Sequence, residues 1–245
     1  MIETSGGGYR VVHSRDEQRS RGRAYPPTTR TLESGLTIEH PTDVDAGGTW
    51  VVAAESGICA GVLNYQTNGA VNPHPRQSRG LIPLHLIQHG SPASMLKALK
   101  NIDLSAYACF TAFGVECTTN GPRVMIAQWN AEELIVVREG TESFKPVVVA
   151  SSGLGDEIVQ CRVPLFEQTV AQNQTSEQQD AFHMHQWDDE PQTSVLMSRE
   201  NARTVSITTI EVQNGESGPS KPIMIYQELP ENDPACDPVG AGMLQ

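Results

Sequence analysis

Ser14-Arg15-Asp16-Glu17, followed closely by Arg19, Arg21 and Arg23, packs acids and guanidinium groups into one short stretch. An Arg beside an Asp can orient a substrate carboxylate or a nucleophile, because charge-assisted hydrogen bonds are strong and the guanidinium fork is directional. A surface turn of solvated charges would read the same way, and exposed pairs contribute little. A second group is Gly47-Gly48-Thr49-Trp50, leading to Leu63-Asn64-Tyr65. Glycines permit close backbone approach, and Asn64 at a strand end could offer an amide N–H to a developing oxyanion. Taken singly, Asn64 reads as a turn residue and Trp50 as core. A third group is Phe182-His183-Met184-His185-Gln186-Trp187-Asp188-Asp189. On a strand the two histidines share a face without a third ligand, and on a helix they diverge. Structural or solvent-exposed roles are therefore expected, and no metal.

Other chemistries lack their motifs. There is no Walker loop, no dinucleotide fingerprint and no Gly-x-Ser-x-Gly elbow; Gly153-Leu154-Gly155 lacks a third glycine. No cofactor is expected. Seventeen Lys and Arg against twenty-nine Asp and Glu give a formal charge of −12, which argues against nucleic acid and anionic membranes as partners. With 38% hydrophobic and 19% charged residues over 245, the chain reads as an acidic globule with a sizeable core. No apolar run has the length of a membrane span. The five cysteines, Cys59, Cys109, Cys117, Cys161 and Cys236, form neither a Cys-x-x-Cys nor a disulfide framework. A cytoplasmic protein is expected.

The elements that must position these groups are mostly strands. They are expected at Tyr9 to His13, Thr49 to Glu55, Ile58 to Tyr65, Ala106 to Phe113, Arg123 to Trp129, Glu133 to Arg138 and Val147 to Ala150. Three more are expected at Thr193 to Ser198, Arg203 to Val212 and Ile223 to Glu228. Leu81 to Leu99 has helical spacing broken at Gly90-Ser91-Pro92, and Asp156 to Asn173 reads as a helix. Residues 20–48 read as a long ordered loop, and Gln174 to Asp180 as an exposed loop or helix end. One domain over residues 1–229 is expected, with a loose tail at 230–245. Strands in hairpins with helices gathered in blocks define an α+β layer design.

In order, these pieces resemble the NRDE family, also called the transport and Golgi organisation protein 2 family. The Asn-Arg-Asp-Glu of that family reads Ser14-Arg15-Asp16-Glu17 here. Arg19 and Arg21, Gly47-Gly48-Thr49-Trp50, Leu63-Asn64-Tyr65 and Arg79-Gly80 follow as in its pattern. The family in turn is similar to N-terminal-nucleophile hydrolases of the choloylglycine hydrolase and penicillanate acyltransferase branch. That resemblance implies a four-layer αββα sandwich of antiparallel sheets acting on a small-molecule substrate. It implies Arg15 and Asp16 as the positioning pair and Asn64 as the oxyanion donor. For the later Asn and Arg of the branch, Ser152 and Arg203 are the nearest candidates. Glu17, Arg19, Trp50, Tyr65 and Arg79 are expected to border the substrate. The branch attacks with a cysteine directly after the initiator methionine, whereas this chain reads Met1-Ile2, and no internal cysteine offers a free α-amine as base. Two expectations follow: an amide-bond hydrolase or acyltransferase whose start lies upstream, or a non-catalytic binding or trafficking protein for haem, lipid or acyl-coenzyme A.

Overall fold

In a computed structural model, which describes residues 1–66, 75–140, 144–215 and 218–231, β1 (Ile2–Thr4) turns back into β2 (Gly8–Gln18). The turn needs Gly6 and Gly7, both at φ +83°, a conformation that side chains resist. The two faces of β2 keep different company, as strand alternation requires. Tyr9 and Val11 enter one apolar core, and the Arg15 guanidinium lies 4.8 Å from the Trp50 ring on that side. Val12 enters another core, on the side where Arg10 meets Gln179 and Ser14 meets His183.

Two sheets follow from this. β3 (Tyr25–Thr31), β4 (Thr37–Thr42), β5 (Val51–Ala54) and β6 (Ile58–Asn64) begin a seven-stranded sheet. After α1 (Leu81–Leu86), a 3-10 turn at Ile87–His89 and α2 (Pro92–Leu99), the sheet continues in chain order. Its last strands are β7 (Phe110–Thr118), β8 (Gly121–Trp129) and β9 (Leu134–Gly140), all antiparallel. α3 (Arg162–Phe166), a π-helical turn at Glu167–Ala171 and α4 (Ser176–His183) come next. β10 (Ala202–Val212) then pairs along β2 from Gln18 to Tyr9. β11 (Asn214–Gly215) and β12 (Gly218–Pro219) form a small ribbon, and β13 (Ile223–Glu228) completes the four-stranded order β1-β2-β10-β13.

The cores give the layer order. Ile82, Leu86, Met95 and Leu99 of the first helices pack on Val52, Ala60, Phe110 and Met125 of the large sheet. The other face of that sheet, through Val51, Cys59 and Val115, meets Tyr9, Val11, Ile210 and Val212 of the small sheet. Phe166, Val170 and Phe182 pack with Ile2 on the far side. The architecture is therefore αββα, with antiparallel sheets in the middle.

Several expectations need correction. Residues 20–48 are not a loop but contain β3 and β4. Their threonines are β-branched, and Pro26-Pro27 is accommodated where the register shifts on an edge strand, the place a sheet tolerates proline. Val147 to Ala150 and Thr193 to Ser198 form no strands; the second stretch is mostly turn and bend, with one isolated bridge, Ser198 to Arg203. Asp156 to Asn173 is broken into 3-10, α and π pieces instead of one helix. Gln174 to Asp180, expected as an exposed loop or a helix end, is the latter: it begins α4, capped by Thr175, whose hydroxyl accepts from the Gln178 N–H at 3.2 Å. The tail beyond 231, with Cys236, and His74 lie outside the described residues.

Candidate functional site

β1 pairs with β2 only at Ile2–Arg10, Glu3–Tyr9 and Thr4–Gly8. From Val11 onward that edge of β2 has no strand partner among the described residues. Instead Met1 meets the extended stretch after β9. Its α-amine donates to Val147 O at 2.7 Å, and the Val147 N–H donates back to Met1 O at 3.0 Å. Beyond this contact a cavity of about 610 Å³ opens along the free edge, reaching both faces of β2. The lining is mixed: Val12, Val147, Val148, Phe182 and Val195 form one apolar stretch, further apolar residues come from the inter-sheet core, and charged and polar groups lie between them.

On the inter-sheet side Arg15, 8% exposed, is held at three points. Its guanidinium stacks on Trp50, pairs with Asp43 at 2.7 Å and with Glu17 at 3.1 Å. Burial raises the Asp43 carboxyl, but the Ala46 N–H, Arg21 and Arg15 outweigh it and hold its pKa below the ordinary carboxylate range. Trp50 is itself fixed, its indole N–H donating to Thr208 Oγ1 at 3.1 Å. Gly48 permits this packing: a Cβ there would lie 2.6 Å from the Gly80 carbonyl carbon, and the Thr49 N–H donates to Gly80 O at 2.9 Å. Arg79, beside it, donates to Cys109 O at 2.9 Å, and burial lowers its pKa.

On the helix side Asp16 accepts from the Thr204 hydroxyl at 2.6 Å. Asp16 is exposed and lines the cavity; desolvation by the surrounding walls is the largest influence on it and raises its pKa, against the pull of Thr204, Arg162 and Arg199. Arg162 is 7% exposed and donates to Thr193 O at 3.0 Å and Ser194 O at 2.6 Å. Arg199 donates to Ser152 Oγ at 2.9 Å and Gln192 O at 3.0 Å. Both bond to neutral acceptors. Ser14 Oγ and His183 Nδ1 are 2.8 Å apart. Burial pushes the His183 pKa down to about 3, helped by the Met1 amine, His13, Arg10 and Arg162. The Met1 amine is likewise lowered to about 5 by burial and by Arg10.

Arg15, Asp16, Glu17, Trp50, Asn64 and Arg79 all line the one cavity, Arg15 and Asp16 from opposite faces of β2. Asn64 is at its exposed rim, where its carbonyl accepts from the Ser151 hydroxyl at 2.7 Å. Arg19, Tyr65 and Arg203 do not line the cavity. Arg19 donates to Arg199 O and Ser198 Oγ, and Arg203 spends its guanidinium on the carbonyls of Thr204, Leu229 and Pro230. Arg203 neighbours Thr204 on β10, so alternation turns it to the face opposite Asp16's partner. Tyr65 continues β6 past its last residue, its N–H donating to Cys109 O at 3.2 Å. Ser152 lies on the wall, 5% exposed. Sequence reasoning missed Asp43, Arg162, Arg199 and the partner of His183. A lone arginine among Val163, Leu165 and Phe166 is the one local sign that Arg162 is held inside. Cys59 is fully buried and its thiol is pushed up to about 12 by burial, which leaves it inert at neutral pH.

Two central antiparallel sheets, outer helices and a cavity at the free edge of the first long strand define the class of protein. The chain belongs to the Transport and Golgi organisation 2 family, whose model matches residues 8–225. No curated protein sequence matches it. Among solved structures, a substituted variant of the conjugated bile acid hydrolase from Clostridium perfringens aligns with 93% of this chain and 86% of its own. The identity is 10% and the TM-score 0.41.

Proposed function

We propose that the cavity binds a small amphipathic acid, its apolar body on the valine wall and its carboxylate at Arg162 and Arg199. The observation that carries this reading is the pair of guanidinium groups bonded only to neutral acceptors. The carboxylate that acts on both is Asp16, whose own ionised form is disfavoured there. Buried Arg162 and half-buried Arg199 are acted on by Asp16 and, at Arg162, by Asp156, but burial disfavours the ionised form of both carboxyls; a bound carboxylate supplies further negative charge through bidentate bonds. The volume suits a ligand of drug size. Haem, lipids and acyl-coenzyme A, the ligand types raised by the family resemblance, all combine an apolar part with anionic groups.

A second reading, amide-bond hydrolysis or acyl transfer, is favoured by one observation: Arg15, Asp16 and Asn64 border the cavity that also holds Met1. There Arg15 and Asp16 would position the reacting groups and Asn64 would donate to the oxyanion.

Thermal unfolding with octanoate tests the first reading. Octanoate raises the melting temperature in a concentration-dependent way, as a ligand of the native state must. Arg162→Gln weakens the apparent affinity about tenfold or more, the cost of one charged hydrogen-bonding partner. No shift with saturating octanoate or haem overturns the reading. Amine release from N-octanoyl-glycine, lost in Asp16→Asn, would favour the second reading instead.

A further inference from the structure

We propose that Ser14 is an acyl-accepting nucleophile and His183 its general base, for hydrolysis of an activated acyl ester in this cavity. The inference rests on the acid-binding reading for its substrate. Ser14 occupies the motif position where the family pattern has asparagine, so a hydroxyl replaces an amide in a strand that faces the cavity. Its Oγ is 2.8 Å from His183 Nδ1, within reach for proton transfer. The two residues come from β2 and the end of α4, 169 positions apart, and both line the cavity.

The surroundings suit the chemistry. His183 is uncharged at neutral pH, so Nδ1 is free to accept the Ser14 proton; its low basicity restricts the step to activated esters, where proton transfer accompanies bond formation to the acyl carbon. Burial is the main cause that keeps it uncharged, and Arg162, the guanidinium among its neighbours that lines the cavity, favours the negative oxygen formed when the carbonyl is attacked. Ser14 and Asp16 lie on one face of β2, roughly 7 Å apart at two residues' rise, and Asp16 feels Arg162. Ser14, His183 and Arg162 line the same cavity, so the acid released by hydrolysis at Ser14 is a ligand of the class assigned to Arg162.

In the first step the Ser14 proton passes to His183 Nδ1 while Oγ bonds to the acyl carbon, and the carbonyl electrons move to oxygen. Collapse expels the alcohol, which takes the proton from the imidazolium. Water then attacks the acyl-serine with His183 as base, releasing the acid and restoring the hydroxyl.

The test uses the full chain with a fluorophosphonate probe and p-nitrophenyl octanoate. The expected result is one adduct, mapped to Ser14, with hydrolysis reduced about 100-fold or more in Ser14→Ala and His183→Gln, the usual scale for losing such a group. Ser14→Asn, which restores the family's residue, behaves like Ser14→Ala while octanoate still raises its melting temperature. Equal hydrolysis by the native protein and Ser14→Ala, or a probe adduct on any other residue, overturns the dyad. The native-protein mapping decides even where a variant does not fold. An octanoate shift without Ser14 labelling removes the dyad and keeps the acid reading. Ser14 labelling without an octanoate shift does the reverse.

Discussion

The two helical layers of this protein are built by opposite rules. α1 and α2 bury Ile82, Leu86, Ile87, Met95, Leu96 and Leu99 in one continuous apolar cluster. α2 starts by ordinary capping: the Ser91 hydroxyl accepts from the Ser94 N–H at 3.2 Å, with Pro92 in the first turn. On the far side α3 has five residues and passes directly into a π-helical turn. That layer's interior holds Arg162, Gln179 and Ser194 as well as Phe166 and Phe182. Arg10 crosses to it from β2, donating to Gln179 Oε1 at 2.8 Å and Asp180 at 2.6 Å. One layer contributes stability by excluding water. The other keeps polar groups oriented toward a cavity, and irregular helix is common where that is required.

The contrast can be broken most forcefully from the apolar side. Leu86→Ala, at a fully buried position, removes packing that the layer cannot refill and costs about 2–5 kcal/mol in urea unfolding. Octanoate affinity, measured on the folded fraction, stays unchanged. A loss of affinity equal to that of Arg162→Gln would erase the division between the layers.

A smaller effect is expected at the joint between α1 and the cavity rim. Gly48→Ala places a methyl group 2.6 Å from backbone of Gly80, so the Arg79-Gly80 turn must move. About 1–3 kcal/mol is lost, the range for overpacking, and octanoate binding weakens along with stability. Stability loss without any change in binding would show that the Trp50–Arg15 stack does not depend on this contact.

The smallest effect concerns acid. His183 has a folded pKa of about 3 against an ordinary 6.5, so the unfolded chain binds the extra proton between these values. Stability therefore rises with pH across that window and is lost as pH falls through it. The His13 ring and the Met1 amine, lowered by burial, act in the same direction, while Asp16, raised by burial, acts against them. His183→Gln reduces the slope by at most about 1.4 kcal/mol per pH unit, one proton's share. An unchanged slope between pH 4 and 6 would mean that His183 is solvated.

What the sequence discloses follows from how local each signal is. Arg15, Asp16 and the Gly-Gly-Thr-Trp run are contiguous motifs, so the sequence could single them out; Arg15, Asp16, Gly48, Thr49 and Trp50 line the cavity. The hairpin of β5 and β6 shows as two apolar runs on either side of a turn at Gly57, φ +81°. β3 was hidden by its two prolines, because an edge strand tolerates residues that a central strand rejects. Val147 to Ala150 has strand composition, yet it pairs with Met1 at a point and then becomes cavity wall. Arg162, Arg199 and the pairing of His183 with Ser14 were illegible for another reason. Their significance lies in contacts with β2 and with stretches far along the chain, which no spacing rule records.

The free edge of β2 has a consequence for how such a protein can diverge. The β2–β10 ladder fixes Ser14, Arg15 and Asp16 from one side only. Much of the opposite wall, from Val147 to Leu154, is chain without strand pairing. Substitutions or length changes there can alter the volume and chemistry of the cavity without breaking a ladder hydrogen bond, since connecting segments tolerate change better than the elements they join. Descendants of one ancestor could thus keep the charged strand end and exchange ligands, with the lining inherited as a replaceable part.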